Sequence, residues 1–138
     1  MTTVWLIGAA PPESVVGPIP LRARGGSFST ADRLREMLEM TVDEYEAAFE
    51  RANVLGSPPW DRRARAAGRR TRRQITETAV VLGKEVWSVL GLPRQTRYFE
   101  RVENFTLVPH PSGRSLIYND ASMRALLKET IDGLLGKN

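Results

Sequence analysis

The chain has 138 residues, 41% hydrophobic and 26% charged, with a formal net charge of +4. This length and apolar content suit a single domain with its own core, expected over residues 1–138. The absence of cysteine excludes disulfides, thiolate nucleophiles, iron–sulfur clusters and cysteine-based zinc sites, and one histidine excludes a histidine-rich metal centre.

No metal or cofactor is therefore expected. There is no apolar run long enough to cross a bilayer and no basic-then-apolar leader at the start. The reading is a cytoplasmic monomer without a membrane partner. Charge is unevenly spread. Residues 1–60 carry five basic and eight acidic side chains, and residues 61–101 carry eleven basic and four acidic. A basic band on one element is the footprint of a polyanion partner.

Val4-Trp5-Leu6-Ile7 is a short apolar run that stops at Gly8-Ala9-Ala10-Pro11-Pro12, which predicts a buried strand and an abrupt turn. Residues 11–29 hold four prolines and three glycines and predict a long loop, a feature that in compact domains is often functional. Ser29 or Thr30 is placed to cap a helix reaching about Met40. Thr41 and Glu44 form a capping box that opens a second helix, with Tyr45, Ala48 and Phe49 on one face.

Asn53-Val54-Leu55 then precedes the break Gly56-Ser57-Pro58-Pro59. Residues 61–76 predict a basic helix, and 78–82 a second buried strand stopped by Gly83. Lys84 to Leu90 predicts a short helix closed by Gly91, with Pro93 beyond it. Residues 104–109 predict the strand that delivers His110. Asp120 is placed to cap a last helix whose buried stripe is Met123, Leu126, Leu127, Ile131, Leu134 and Leu135. Strands alternating with amphipathic helices predict an α/β fold: three layers, αβα, around a short central parallel β-sheet. Ligands of such sheets bind at the carboxyl ends of the strands. Four loops are expected there: Gly8–Pro12, Asn53–Pro59, Gly83 and His110–Arg114.

Val108-Pro109-His110-Pro111-Ser112-Gly113-Arg114 is the most specific stretch. A proline on each side restrains the backbone of the only histidine. Together with Leu6-Ile7-Gly8-Ala9-Ala10-Pro11, Gly25-Gly26-Ser27-Phe28, Ala52-Asn53-Val54-Leu55 and Val80-Val81-Leu82-Gly83, it resembles the uracil-DNA glycosylase superfamily, and most of all its small bacterial and phage members. The five pieces occur in order over most of the chain.

The resemblance implies a DNA glycosylase that hydrolyses the N-glycosidic bond of uracil, or of a related modified base, flipped out of DNA. Gly8, Ala9 and Ala10 would border the base, Phe28 would stack on it, and Asn53 would read its edge. His110 would be the catalytic donor. Ser112, Gly113 and Arg114 would contact the DNA, with Leu116 as an apolar wedge. Ala9 and Ala10 stand where other members offer a polar residue for water. A catalytically inactive DNA- or nucleotide-binding protein on the same scaffold is therefore the alternative.

The residues themselves leave other choices open. Phe28 equally suits a core, and a helix C-cap is the alternative for Asn53. Trp60 suits either base stacking or anchoring of the basic helix. Seven arginines lie in the twelve residues 62–73. Of these, Arg62, Arg63, Arg65, Arg69, Arg70 and Arg73 are candidate DNA contacts, against the alternative of a solvated face.

Overall fold

The computed structural model describes residues 3–9, 30–54, 59–111 and 116–137. Its strands are β1 (Val4–Ala9), β2 (Phe49–Val54), β3 (Thr78–Leu82), β4 (Arg101–Val102) and β5 (Phe105–Val108). Its helices are α1 (Thr30–Met37), α2 (Val42–Ala48), α3 (Arg62–Gln74), α4 (Lys84–Val89) and α5 (Ala121–Leu134). A short 3₁₀ turn spans Ile117–Asn119. The strands form one five-stranded sheet in the order β2-β1-β3-β5-β4, parallel except for the antiparallel β4–β5 pair.

Alternation along the strands sends side chains to opposite faces, and two apolar clusters form accordingly. Val4, Leu6, Val80, Leu82 and Val108 pack with Leu34, Tyr45, Leu127 and Ile131 on the face covered by α1, α2 and α5. Ile7, Ala79, Val81, Phe105 and Leu107 pack with Ala64, Val86, Trp87 and Val89 on the face covered by α3 and α4. The fold is thus mixed α/β, with helices on both faces of a mostly parallel sheet.

Local chemistry accounts for the helix starts. The Thr41 capping box closes in both directions: Glu44 N donates to Thr41 Oγ1 at 3.1 Å, and Thr41 N donates to Glu44 Oε1 at 3.0 Å. Asp61 caps α3 by accepting from Ala64 N at 2.8 Å, and Asp120 caps α5 by accepting from Ser122 N at 2.8 Å. Gly91, at φ +79°, takes the left-handed position that ends α4.

Three expectations are corrected. Helix α2 stops at Ala48, and Phe49 opens a strand, so Asn53 is a β-strand residue and not a helix C-cap. The segment Phe49-Glu50-Arg51-Ala52-Asn53-Val54 is an edge strand, and its charged residues hide the apolar pattern of a buried one. Helix α1 ends at Met37, short of Met40, because Glu39 turns left-handed at φ 57°. Leu126 is 39% exposed and lies off the buried stripe of α5, which centres on Leu127 and Ile131.

Among the described residues, no helix is long and apolar enough to cross a membrane.

Candidate functional site

The sheet order creates a switch point. The next helix after β1, α1, covers one face of the sheet, whereas α4, directly after the adjacent β3, covers the other. A crevice at the carboxyl ends of such strands is the ligand position general to open parallel sheets. Across it, the four parallel strands present Asn53 on β2, Gly8-Ala9 on β1, Gly83 after β3 and His110 after β5. Two small-residue ends lie in the middle, with one polar side chain on each flank.

Asn53 pairs in register with Gly8, and Val54 with Ala9. Alternation puts Asn53 on the same sheet face as Phe49 and Arg51. The Arg51 guanidinium lies 5.8 Å from the centre of the Tyr45 ring and pairs with Glu46. The Asn53 Oδ1 atom is buried and has no hydrogen-bond partner among the described residues. A buried acceptor left unsatisfied costs about 1–3 kcal/mol, so its persistence in a folded chain calls for a reason.

His110 is half-buried between the buried Pro109 and Pro111. Its side chain packs on Gly83: a Cβ built at Gly83 would lie 3.2 Å from His110 Cβ and 3.8 Å from Cδ2. Gly83 takes φ +96°, and its N–H donates to Val108 O at 2.9 Å, tying the loop after β3 to the end of β5. Burial holds the imidazole pKa below its usual value, partly opposed by the negative charge of Glu85. The ring is therefore neutral at pH 7 and carries one N–H donor.

This burial has a consequence for pH. The unfolded chain protonates His110 near pH 6.5 and the folded chain at lower pH, so the unfolded state binds more protons between those values. Stability should be full above pH 6.5 and fall as pH drops from 6.5 towards the lowered folded value. His110 is the only histidine. Chemical denaturation at pH 7.0 and 5.5 should show this loss, and His110→Gln should flatten it. An unchanged slope in the variant would place the imidazole in solvent.

Tyr118 was not foreseen from sequence. It is 7% exposed, and its hydroxyl donates to Pro109 O at 2.8 Å. Arg124 Nη1 in turn donates to Tyr118 O. The 3₁₀ turn thus holds the backbone next to His110. Tyr118→Phe leaves a carbonyl without its partner and should destabilise by about 1–2 kcal/mol, measured by urea denaturation. A neutral result would remove Tyr118 from this role.

A cleft of about 580 Å³ lies between α1 and α5 and touches the His110 loop at Pro111 and Tyr118. Its charges largely cancel. Lys128 is held by Glu39 and Asp132, so the cleft does not offer a simple anion site.

The basic helix is α3, as expected. It begins on the carboxyl-end side, where Trp60 Nε1 donates to Glu85 O at 3.1 Å beside the start of α4. Trp60 also packs on the second cluster, so its role is anchoring. The helix ends on the opposite side, where Asn104 Nδ2 donates to Ile75 O and Glu77 O. Arg62 and Arg63 consequently lie near the crevice, whereas Arg69, Arg70 and Arg73 run away from it. Arg65 is half-buried and donates from Nε to Trp60 O. Arg72 donates to Gly91 O at 2.9 Å and pairs with Glu103.

Leu116 is 74% exposed, immediately before the 3₁₀ turn. Ala10, Phe28, Ser112, Gly113 and Arg114 lie outside the described residues. Among the described residues, no group of histidine and carboxylate side chains is placed to hold a metal ion. No protein-family model matches this chain, and no curated protein or solved structure matches it significantly.

Proposed function

We propose that this protein is a monofunctional DNA glycosylase that acts on uracil or a related base flipped out of DNA, on a three-layer scaffold of the uracil-DNA glycosylase type. The observation that carries the reading is the spatial series Asn53, Gly8-Ala9, Gly83, His110 across four adjacent carboxyl ends. Strands lie about 4.8 Å apart, so the two flanking strands are about 14 Å apart. One planar base between the two flanking residues suits that span, and the small residues between them leave it room.

The Asn53 Oδ1, without a partner among the described residues, supports the same assignment. It would accept from N3–H of uracil while Nδ2 donates to O4; cytosine presents the opposite pattern. His110 would donate to O2. In hydrolysis, the bond from C1′ to the base breaks and the base leaves with its electron pair. Water then forms the new bond at C1′ and releases a proton to solvent. Negative charge develops on the departing base, and a fixed neutral donor at O2 stabilises it. In this reading Phe28 and Ala10 complete the pocket, and Ser112, Gly113 and Arg114 hold the neighbouring backbone. The exposed Leu116 fills the space that the base vacates.

One observation favours a second reading. Strand β1 ends in Gly8-Ala9, which provides no polar side chain to orient water. A protein that holds a flipped base or nucleotide without cleaving it would carry the same pocket.

The deciding experiment uses labelled single- and double-stranded oligonucleotides with one uracil each, followed by alkali to break abasic sites. Cleavage that disappears in His110→Ala and in Asn53→Ala supports the enzyme. Binding without cleavage selects the second reading.

A further inference from the structure

Seven arginines in α3 do not share one fate. Arg72 is spent on Gly91 and Glu103, and Arg65 on the carbonyl of Trp60. Arg62, Arg63, Arg69, Arg70 and Arg73 are all exposed, and none of them pairs with a carboxylate among the described residues. At 100° per residue, Arg62, Arg69 and Arg73 form one row, with Arg63 and Arg70 beside it. Ala64 and Gly68 on the other side of the helix are buried. The stripe extends about 16 Å along the helix axis, at 1.5 Å per residue.

The arrangement works against the helix that carries it. The segment has no acidic residue, and Arg62 and Arg63 occupy the first turn, where the helix dipole disfavours cations. Arg69 and Arg73 are a like-charged i,i+4 pair, which is also unfavourable. Charge placed against local stability is characteristic of a functional surface. Arginine matches phosphate through paired donors. The exposed face offers no large apolar residue for insertion into a bilayer, and the buried Gly68 on the other side packs on Val89 of α4.

We infer that the Arg62–Arg73 stripe is a second nucleic-acid site that grips the phosphate backbone without regard to base, along the flank of the fold and leading away from the crevice. It deepens the glycosylase reading by giving the protein a hold on undamaged strands. It rests on the arginine arrangement alone, so its test does not require base release. About nine duplex phosphates lie alongside a 16 Å path, more than enough for five guanidiniums.

The test is fluorescence anisotropy with labelled 20-nucleotide single strands and duplexes that contain no uracil, from 50 to 200 mM salt. Five contacts to duplex predict an affinity loss of about 500-fold over that range. In Arg69→Gln/Arg70→Gln/Arg73→Gln, the loss should shrink to about 10-fold, with weaker binding at the lowest salt. Single strands should show the same trend with a shallower slope. Circular dichroism verifies that the variant keeps its helices. Arg72→Gln should keep the steep salt dependence, because that side chain is turned to Glu103. An unchanged salt dependence in the triple variant overturns the inference. So does binding to phosphatidylserine vesicles or polyglutamate with none to the oligonucleotides.

Discussion

His110→Ala should, on the proposed glycosylase reading, lower single-turnover release of uracil by about 10²–10³-fold, the effect of removing one preorganised donor from developing negative charge. That range corresponds to about 2.7–4 kcal/mol of transition-state stabilisation. Burial between Pro109 and Pro111, contact with Gly83 and the Tyr118 anchor on Pro109 restrain the backbone that carries His110, and on the proposed reading they do so before substrate arrives. Little reorganisation is then needed during the reaction, so the loss should fall on kcat more than on KM. Because burial already keeps the imidazole neutral, activity should be flat with pH above 6.5. A loss under tenfold, or one confined to KM, would rule out His110 as the donor to the leaving base. Asn53 makes a useful contrast. Asn53→Ala removes a buried acceptor that has no partner among the described residues, so it should leave stability unchanged or slightly higher and, on the proposed reading, abolish base selection.

Gly68→Ala should destabilise the fold by about 1–3 kcal/mol, the usual range for overpacking, and Gly68→Val by more. A Cβ at Gly68 would lie 2.1 Å from Val89 O and 2.8 Å from Val89 C. Both are backbone atoms, so no side-chain rotation can relieve the clash; α3 has to move off α4. That movement opens the cluster of Ala64, Val86, Trp87, Val89 and Leu90. Helix propensity acts in the opposite direction, since alanine in a helix interior is better than glycine by about 1 kcal/mol. The sign of the measured change therefore decides which effect wins. Urea denaturation of the two variants gives the answer. A stabilised Gly68→Ala would mean that α3 does not approach α4 as closely as the structure has it, and the orientation of the arginine stripe would fall with it.

Strands β1, β3 and β5 were legible in the sequence because each is covered on both faces and reads as a short, mostly apolar run. The caps at Thr41 and Asp120 were legible because capping depends only on residues three or fewer positions away. The basic helix and the loop that carries His110 were legible for the same local reason.

Strand β2 was not. An edge strand needs only part of its surface apolar, and Phe49 follows Tyr45 by four residues, which continues a helical pattern. Arg101–Val102 was missed as well, since two residues show no periodicity. Tertiary structure alone decided that Asn53 lies opposite Gly8, that its Oδ1 lacks a partner among the described residues, and that Tyr118 holds Pro109. It alone separated the five exposed arginines from the two already bonded. Local pattern determined which residues this chain has for strands, caps and loops. Which of them meet depends on strand order and on contacts between residues far apart in the chain, and neither has a period that a single sequence can display.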